Sequence, residues 1–485
     1  MTKKFKKIDK AFILAGGKGN RIKLGQKENI KAFIEINNEQ LLKRHIRLIK
    51  ENLNPEKIYV VITKFESYFK DSIQEFDGVE LIFNDKISNQ KGLELLLAIK
   101  KIDEIIYKNE KILLTLVDEY YDESDFKDFC NAIFTKDFTT LVAIKELNFP
   151  DEYLKNYAVT LDEDNEVIID SIEKCEKIIS NFFGTGLICM NKSFTELIVK
   201  NLDNDIKIPL FSLLNQSLIS KYHKLNNIYC NINTRVDIYE LEKKIRKKKK
   251  FTVDVIIPAY LEEANIAFVV NDFKKEVNNV IVANKISEDK TEVIAKDNGA
   301  IVISANYLGY GDAIRSGIKK SNADIIVLAE ADGTFRSSDL EKLLNCLMDN
   351  DAVQGTRTNP AYIQYKANMD RPRIFFNKLF ANFISIIWPR NRTLLSDVGC
   401  TYRAFWKTKY NKIEKNIVSV SAAFAPELTI EFINKGFRVI EIPVNYHPRN
   451  MGISKLSGTY IKSGMTALSM LKIILQKRFL YLFSK

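Results

Sequence analysis

The sequence predicts an α/β protein with two Rossmann-like domains in tandem, each built around a mostly parallel sheet. Short apolar runs alternate with helical runs along the chain, which is the order that builds parallel sheets. At 485 residues the chain exceeds what one hydrophobic core usually serves. A basic block at 241–251 separates the two patterned halves. We therefore place a first domain at 1–245, a basic linker at 246–251, a second domain at 252–460 and a C-terminal amphipathic helix at 461–485.

The composition limits the classes of function. The formal charge is +11 and the pI is near 9.0, which favours anionic substrates or an anionic membrane surface. We find no nucleic-acid-binding motif, so nucleic acid is not an expected partner. The six cysteines form no CxxC pair and the three histidines are scattered, which argues against disulfides and zinc. The sequence shows no signal peptide and no apolar run of about 20 residues, which predicts a cytoplasmic protein.

The first element is a short apolar strand, AFIL (11–14), that runs into the glycine-rich loop AGGKGNR (15–21). Glycines let the backbone approach a ligand closely, and successive N–H groups in such a loop form an anion cradle. The loop matches neither the dinucleotide fingerprint, because Ile22 replaces the third glycine, nor a Walker A loop. It therefore predicts phosphate binding. The predicted nucleotide contacts are Leu14, Ala15, Gly16, Gly17 and Gly19, with Arg21 as a planar cation suited to phosphate oxygens.

The rest of the first half alternates in the same way. The runs at 58–63, 111–122, 139–144 and 182–190 read as strands, GLELLLAIKKI (92–102) reads as a helix, and 157–177 reads as a hairpin. Ligands of parallel sheets lie beyond the C-terminal ends of strands. Asp118 follows the apolar run LLTLV and is therefore a candidate site residue.

The segment LAGGKGNRI, followed by Lys31, resembles the sugar-phosphate nucleotidyltransferase family. The resemblance implies that Arg21 and Lys31 act in catalysis and that Asp118 holds magnesium. Asn233, in NINTRVDIYELEKK (231–244), falls at the second magnesium ligand. In the hairpin, Glu173 would contact the sugar and Lys174 its phosphate, and Gly186 would shape the sugar pocket. Small choline-phosphate cytidylyltransferases share the same glycine loop, so the first substrate remains open.

The second half begins with TVDVIIPAYLEEANI (252–266), which resembles the opening of the inverting GT-A glycosyltransferases that include dolichol-phosphate mannosyltransferases. The segments ANKISEDKT (283–291) and NYLGYGDAIRSGI (306–318) follow in the family's order. The resemblance implies a nucleotide site in which Asn284 occupies the position of a base-binding Asp. The implied nucleotide-binding residues are Pro258, Ala259, Tyr260, Glu262 and Asn284.

The stretch DIIVLAEADGTF (324–335) reads as a buried strand that delivers Glu330 and Asp332 to its C-terminal end. Because side chains two apart on a strand point the same way, we expect these carboxylates to share one divalent cation. The family carries Asp-x-Asp at this point, and Asp332 is also expected to act in catalysis. Later segments resemble the family through the catalytic candidate Asp397 and the substrate-binding candidates Arg357, Arg403, Arg449 and Lys455.

Two amphipathic stretches remain, at 373–388 and 465–483. Apolar residues recur in the second at helical spacing, which indicates a core face. Basic, aromatic-rich helices also bind membrane interfaces, so peripheral contact with the inner face of the membrane is the alternative. The apolar stripe consists of Leu468, Leu471, Leu475, Phe479 and Leu482.

Together these features predict a bifunctional enzyme that uses Mg²⁺ or Mn²⁺. The first domain would make a nucleotide-sugar from an NTP and a sugar 1-phosphate, and the second would transfer the sugar to an acceptor such as a lipid phosphate or a cell-surface glycan. In the alternative, the first domain is a choline-phosphate-type cytidylyltransferase and the second uses a separate donor. A non-enzymatic nucleotide-binding or membrane-docking module is the third hypothesis.

Overall fold

The computed structural model describes residues 8, 10–15, 30–84, 111–147, 157–173, 180–203, 214–215, 217, 219–388, 394–451 and 460–483. The chain divides into two compact units, Met1–Ile245 and Arg246–Lys485. Each unit is an α/β structure with its own central sheet.

Helices and strands alternate through the first unit. Its helices are α1 (Leu41–Leu53), α2 (Glu66–Ile73), α3 (Glu123–Thr135), α4 (Lys192–Asp203) and α5 (Arg235–Lys247). Its strands are β1 (Lys10–Leu14), β2 (Glu35–Ile36), β3 (Glu39–Gln40), β4 (Lys57–Ile62), β5 (Val79–Phe83), β6 (Ile112–Leu116), β7 (Glu119–Tyr121), β8 (Thr140–Glu146), β9 (Tyr157–Asp162), β10 (Val167–Glu173), β11 (Phe182–Met190), β12 (Ser220–Leu225) and β13 (Tyr229–Asn231).

Among the described residues, the first sheet has nine strands in the order β5-β4-β1-β6-β11-β8-β12-β10-β9. Strand β1 lies parallel to both β4 and β6, so the ends of β1 and β6 meet at one edge. Alternate residues of β1 enter opposite cores, with Ile13 on one face and Phe12 on the other. Burial on both faces explains the continuous apolar run of this strand.

The predicted strands and the hairpin are confirmed, but the first sheet is less parallel than expected. Strand β11 runs antiparallel to its neighbours β6 and β8, and the hairpin β9–β10 is antiparallel. The direction of a strand depends on its partners, so an apolar run alone does not reveal it. The predicted helix at 92–102 lies outside the described residues.

The second unit contains one seven-stranded sheet in the order β16-β15-β14-β17-β19-β18-β20. Its strands are β14 (Val253–Ala259), β15 (Asn279–Lys285), β16 (Ile301–Ala305), β17 (Ile325–Leu328), β18 (Ala352–Thr356), β19 (Arg403–Trp406) and β20 (Val439–Pro443). Its helices are α6 (Ile266–Phe273), α7 (Thr291–Asp297), α8 (Tyr310–Lys320), α9 (Leu340–Leu347), α10 (Arg371–Ile387), α11 (Lys407–Asn411), α12 (Phe424–Asn434) and α13 (Tyr460–Phe483).

Strands β14, β15, β16 and β17 are parallel, and the strand order reverses between β14 and β17. Crevices for ligands form at the carboxyl ends of strands flanking such a reversal. The segments after β14 and β17 carry Glu262 and Asp332, so the fold brings two predicted site segments to one edge.

Both ends of the predicted linker pack on the second unit. Arg246 donates to Asp351 Oδ1 at 3.2 Å, and its guanidinium lies 4.7 Å from the centre of the Trp406 ring. Phe251 packs edge-on against the same ring, with 4.6 Å between ring centres. Arg246 and Phe251 therefore pack within the second unit.

The apolar stripe predicted on the C-terminal helix is not its core face. In α13, Leu468, Leu475 and Phe479 are 68%, 50% and 63% exposed, whereas Ile473 and Ile474 are buried. The helix is apolar around much of its circumference, so its sequence period does not select the buried face. In the described part of the chain, no helix combines the length and apolarity needed to cross a bilayer.

Candidate active sites

The first site gathers three predicted residues that are distant in sequence. Lys31 lies in the 3-10 turn Lys31–Phe33, Asp118 in the turn after β6, and Asn233 after β13. The Lys31 ammonium donates to Asp118 Oδ2 at 2.6 Å and to Asn233 Oδ1 at 3.1 Å. The structure therefore brings these catalytic and metal-ligand candidates together.

Local hydrogen bonds explain how Asn233 reaches this position. Strand β13 pairs with β7, and the Ile232 N–H donates to the Asp118 carbonyl at 2.7 Å. The side chain of Asn233 donates through Nδ2 to Asn231 Oδ1 at 2.9 Å. Its backbone N–H donates to Asp237 Oδ2, also at 2.9 Å. These contacts hold Asn233 where its amide oxygen accepts from the Lys31 ammonium that also binds Asp118.

The oxygen atoms of Asp118 and Asn233 fit a magnesium ion, because carboxylate and amide oxygens are the hard donors this cation prefers. No group of three or more His, Cys, Asp or Glu side chains positioned for a metal occurs among the described residues. Phosphate oxygens and water would therefore have to complete the coordination, as is usual for Mg²⁺ at nucleotide sites.

A buried polar network lies behind this site and was missed in the sequence. Glu119 accepts from the Gly186 N–H at 2.8 Å and from the Tyr121 hydroxyl. The Glu119 carbonyl lies 2.9 Å from His45 Nε2, and Thr115 Oγ1 lies 3.1 Å from His45 Nδ1. Burial raises the pKa of Glu119 to about 7 and lowers the pKa of His45 to about 4. An acid inside an otherwise apolar strand was the available signal.

This network ties the metal candidate to the predicted sugar pocket. Glu119 follows Asp118 directly, and its carboxylate fixes the backbone of β11 at Gly186. A Cβ atom at Gly186 would lie 2.3 Å from the Leu116 side chain, so the strands approach closely at this point.

Part of the phosphate loop lies outside the described residues. The described edge shows Ala15 N donating to the Val61 carbonyl at 2.8 Å, and Val117 N donating to the Leu14 carbonyl at 3.0 Å. Leu14 and Ala15 therefore place the start of the loop beside Val117 and Asp118. Glu173 ends β10, and only its backbone is described. The predicted residues outside the described part are Gly16, Gly17, Gly19, Arg21, Lys174 and Lys455.

The second site centres on Glu330 and Asp332, which lie on a turn. Strand β17 ends at Leu328, so the expectation that a strand carries both acids is wrong. The Thr334 hydroxyl lies 2.6 Å from Asp332 Oδ1 and 3.3 Å from Glu330 Oε2. The Thr334 hydroxyl therefore lies within reach of both carboxylates and donates at the shorter distance to Asp332.

The surroundings of Glu330 affect its charge. The Thr401 hydroxyl donates to Glu330 Oε1 at 2.6 Å. Burial, with the neighbouring charge of Asp332, raises the pKa of Glu330 to about 7. Two carboxylates that lie within reach of one hydroxyl fit a divalent cation, which would relieve their repulsion.

Arg449 connects the two strand ends of the second site. Its Nη1 donates to Asp332 Oδ2 at 3.0 Å, and its Nη2 donates to Glu262 Oε1. The backbone of its segment is fixed on the acidic turn, because His447 N donates to the Thr334 carbonyl at 3.0 Å. The guanidinium is thereby placed beside the carboxylates, where it can pair with phosphate oxygens.

Arg357 and Asp397 form a buried bidentate ion pair. Arg357 Nε donates to Asp397 Oδ2 at 2.8 Å and Nη2 donates to Oδ1 at 2.9 Å. Burial alone would raise the pKa of Asp397, but the Arg357 guanidinium holds it below its ordinary value. Glu441 supports the pair by accepting from the backbone N–H groups of Ser396 and Asp397. Asp397 is therefore placed to orient Arg357.

The contacts of Arg403 correct the expectation that it faces the substrate. Its guanidinium is buried and donates to the Cys400 carbonyl at 2.8 Å, the Ala425 carbonyl at 2.6 Å and Thr429 Oγ1 at 2.7 Å. Burial lowers the pKa of this guanidinium. Arg403 thus fixes β19 to α12 inside the unit.

The nucleotide-binding candidates lie at the ends of β14 and β15. Asn284 pairs in register with Ala259, which follows Pro258 at the end of β14. The side chain of Tyr260 is 42% exposed, and the Lys285 ammonium lies over its ring at 5.3 Å from the ring centre. Asn284 is buried, and its Oδ1 has no hydrogen-bond partner among the described residues. A buried amide oxygen in this condition is an open acceptor for a ligand.

Comparisons with known proteins match a family to a long segment of each unit. The family described as "Nucleotidyl transferase" matches residues 10–229, and "Glycosyl transferase family 2" matches residues 254–413. Protein RfbJ of Shigella flexneri is 36% identical over 111 residues, covering 22% of this chain and 86% of that protein.

Two further relatives match over a longer stretch. The low-salt glycan biosynthesis hexosyltransferase Agl6 of Haloferax volcanii is 29% identical over 206 residues, covering 41% of this chain. The chain spans about half of the length of Agl6, at 48%. The polyprenol monophosphomannose synthase of Mycolicibacterium smegmatis is 28% identical, covering 44% of this chain and 83% of that protein.

Proposed function

Since the chain belongs to the nucleotidyl transferases over residues 10–229 and to glycosyl transferase family 2 over residues 254–413, we propose that it performs two consecutive transfers. The first unit makes a nucleotide-sugar from an NTP and a sugar 1-phosphate. The second unit transfers that sugar to an acceptor with inversion. The observation that carries the proposal is the convergence of Lys31, Asp118 and Asn233, which only the folded chain brings into contact.

In the first reaction a phosphate oxygen of the sugar phosphate attacks the α-phosphorus of the NTP. A bond forms between that oxygen and phosphorus, and pyrophosphate leaves in line. The Lys31 ammonium, with Arg21 of the glycine loop, offsets negative charge on the phosphates. Asp118 and Asn233 would hold Mg²⁺, which neutralises phosphate charge when bound.

In the second reaction an acceptor oxygen attacks the anomeric carbon of the donor, and the nucleoside diphosphate leaves from the opposite face. Glu330 and Asp332 would hold Mg²⁺ or Mn²⁺ against that diphosphate. Arg449 supplies further positive charge beside Asp332. A phosphate acceptor is already ionised and needs no strong general base.

Joining the two reactions in one chain raises the local concentration of the shared intermediate. Tethered sites of this kind reach effective concentrations in roughly the millimolar range. The product of the first unit is therefore the expected donor of the second, and both units should prefer the same base and sugar.

The two half-reactions can be separated in the full chain. Asp118→Ala removes an oxygen ligand, so NTP-dependent pyrophosphate release should stop while transfer from supplied nucleotide-sugar persists. Asp332→Ala should stop sugar transfer and leave NTP-dependent pyrophosphate release intact. Pyrophosphate release is measured over a panel of NTPs with sugar 1-phosphates and choline phosphate. Release with choline phosphate alone would replace this proposal by the cytidylyltransferase alternative, and normal NTP-dependent release by Asp118→Ala would contradict the site assignment.

Exposed apolar residues near basic ones support a proposal for the acceptor and the place of action. On α10, Phe375, Phe376 and Ile386 are 61%, 50% and 72% exposed. On α13, Leu475 and Phe479 are also exposed, and Arg478 lies 5.9 Å from the centre of the Trp388 ring. With a chain charge of +11, these helices suit the surface of an anionic bilayer. We therefore favour a lipid phosphate as acceptor at the inner face of the membrane.

Vesicle sedimentation tests this surface. The full chain should bind vesicles containing anionic lipid more strongly than neutral vesicles, and Leu475→Ser with Phe479→Ser should weaken the binding. Val293→Ser, which alters an apolar side chain 57% exposed on α7, is the matched control. Equal binding of the double variant and the control would contradict the proposal that this surface binds anionic lipid.

A further inference from the structure

A buried charge cluster joins the C-terminal helix to the body of the second unit. The ammonium of Lys477 on α13 lies 2.9 Å from Glu427 Oε1 and 2.9 Å from Glu431 Oε1, both on α12. The three side chains are buried. Burial alone would lower the pKa of Lys477, but its bonds to the two carboxylates raise it. The lysine therefore stays charged inside the structure.

Helix packing alone does not account for this cluster. Ile473 and Ile474 already bury the inner face of α13, and a further apolar side chain would pack there without the cost of desolvating three charges. Buried ion pairs of this kind are weak sources of stability, but they fix the geometry of the groups they bind. The question is which groups the cluster holds in place.

The cluster holds the segment 416–421, which precedes α12 and which we call the strap. Glu427 accepts from the backbone N–H groups of Val418 at 3.0 Å and Ser419 at 2.8 Å. Glu431 accepts from Asn416 Nδ2 at 3.2 Å, and Lys477 donates to the Asn416 carbonyl. All three charged side chains therefore contact the strap directly.

The opposite side of the strap lies against the N-terminus of α8. The Val420 carbonyl accepts from the Gly311 N–H at 2.8 Å, and Arg315 donates to the Ile417 carbonyl at 3.0 Å. A Cβ atom at Gly309 would lie 2.5 Å from the Val420 oxygen. A side chain at position 309 would therefore clash with the strap. The strap packs closely against the N-terminus of α8.

The first residue of α8 lies beside the second site. Burial and the nearby charge of Glu330 raise the pKa of the Tyr310 hydroxyl, and the Thr401 hydroxyl donates to Glu330 Oε1 at 2.6 Å. Contacts therefore run from Lys477 through Glu427 and the strap to the N-terminus of α8, whose first residue lies near the carboxylate of Glu330. Displacement of the strap would move the start of α8 and with it Tyr310, which lies near Glu330.

We propose that Lys477 is a positioning residue for sugar transfer: by binding Glu427 and Glu431 it seats the strap against α8 and so orients Glu330. This inference rests on the proposed function of the second unit. It assigns to the C-terminal helix a role in the geometry of the transfer site in addition to any contact with lipid.

Replacement of Lys477 tests the inference in the full chain. Lys477→Met keeps the length of the side chain but removes the charge, so the strap should loosen. We expect a rise of roughly 10- to 100-fold in the dissociation constant for Mn²⁺ at the second site, and a comparable fall in kcat/KM for transfer. Lys477→Arg should restore much of both, and pyrophosphate release by the first unit should not change. Lys472→Met, at an exposed position on the same helix, is the matched control.

Mn²⁺ binding is measured by electron paramagnetic resonance in the Asp118→Ala background, so that the first site does not contribute. If Asp332→Ala leaves Mn²⁺ binding unchanged in that background, the proposed metal site fails whatever Lys477 does. If Lys477→Met only lowers the unfolding temperature and leaves Mn²⁺ affinity and kcat/KM unchanged, Lys477 merely fastens the helix and the inference is overturned.

If Lys477→Met fails to fold, a second variant tests whether the strap positions Glu330. Gly311→Ala disturbs the strap from the side of α8, because its Cβ atom would lie 2.5 Å from the Ser419 oxygen, and it does not touch α13. The same loss of Mn²⁺ affinity would support the inference that the strap positions Glu330. Wild-type affinity in Gly311→Ala would overturn it.

Discussion

The ammonium of Lys31 lies 2.6 Å from Asp118 Oδ2, although 87 positions separate the two residues in sequence. The same ammonium reaches Asn233 Oδ1 at 3.1 Å. One lysine thus contacts both oxygen atoms that are proposed to hold a metal ion. A positive charge and a cation site share one small volume at the end of β6, which is where phosphate charge would have to be offset.

Replacement of Lys31 should therefore separate metal binding from chemistry. Lys31→Met removes the ammonium between the two oxygen ligands, so Mg²⁺ affinity at the first site should not fall. Pyrophosphate release should fall by roughly 100-fold, because charge on the phosphates is no longer offset. Binding is measured by calorimetry and turnover by pyrophosphate release. Lys43→Met, at a lysine on α1 paired with Glu75, is the control, and wild-type turnover by Lys31→Met would remove Lys31 from the mechanism.

The Arg357–Asp397 pair should matter for both stability and transfer. Asp397→Asn leaves the Arg357 guanidinium buried without its counter-charge, so the free energy of unfolding should fall by about 3–5 kcal/mol. Sugar transfer should fall as well, because Arg357 loses its bidentate anchor. Urea unfolding and a transfer assay check the two effects. An Asp397→Asn variant with unchanged unfolding and transfer would show that the pair orients nothing.

Asn284 should influence which base the second unit accepts. The amide both donates and accepts hydrogen bonds, whereas a carboxylate only accepts. Asn284→Asp should therefore disfavour a base that presents an acceptor nitrogen, such as cytosine, relative to uracil. We expect the cytidine-to-uridine ratio of kcat/KM for nucleotide-sugar donors to fall about tenfold, the effect of roughly 1.4 kcal/mol. Competition between the two donors measures the ratio. Asn271→Asp is the control, because Asn271 lies on α6 and donates to Asn298. An unchanged ratio would show that Asn284 does not bind the base.

His45 should make the first unit sensitive to acid. Its folded-state pKa is about 4 because of burial, against 6.5 for an ordinary histidine. Below pH 6.5 the unfolded chain binds a proton that the folded chain does not, so stability is lost as the pH falls. Relative to His45→Gln, the wild-type free energy of unfolding should fall by about 2 kcal/mol between pH 6.5 and pH 5.

Urea unfolding of both proteins at each pH measures this difference. Glu119 has the opposite sign, because its pKa is raised to about 7 and the folded state gains stability as the pH falls through that value. The comparison with His45→Gln cancels the Glu119 effect, since both proteins retain it. A difference that does not change with pH would show that His45 is accessible to protons in the folded state.

Much of the candidate sites could be predicted from local sequence. The apolar run of β1 and the glycines that follow it indicate a strand entering a phosphate loop, because burial on both faces and close backbone approach each require particular residues. Asp118 and Asp332 were found because parallel strands place their carboxyl ends at one edge. These inferences depend only on neighbours within a few positions.

Other site residues could not be found in this way. Glu119 contacts Gly186 across 67 positions, and Arg403 donates to Ala425 and Thr429 in the interior. The sequence does not reveal whether a charged side chain binds a substrate or a backbone carbonyl. The partner depends on how the chain folds. Arg403 binds carbonyl groups inside the unit.

The sequence by itself determined two α/β units and the segments that bear their chemistry, because strand periodicity and glycine loops are local properties. The tertiary structure alone decided the direction of β11, the exposed face of α13 and the burial of Lys477 between Glu427 and Glu431. The period of α13 shows where apolar residues recur but not which of them a neighbour covers. Packing against α12 settled that choice, since it paired the lysine with two carboxylates and left Leu475 and Phe479 at the surface.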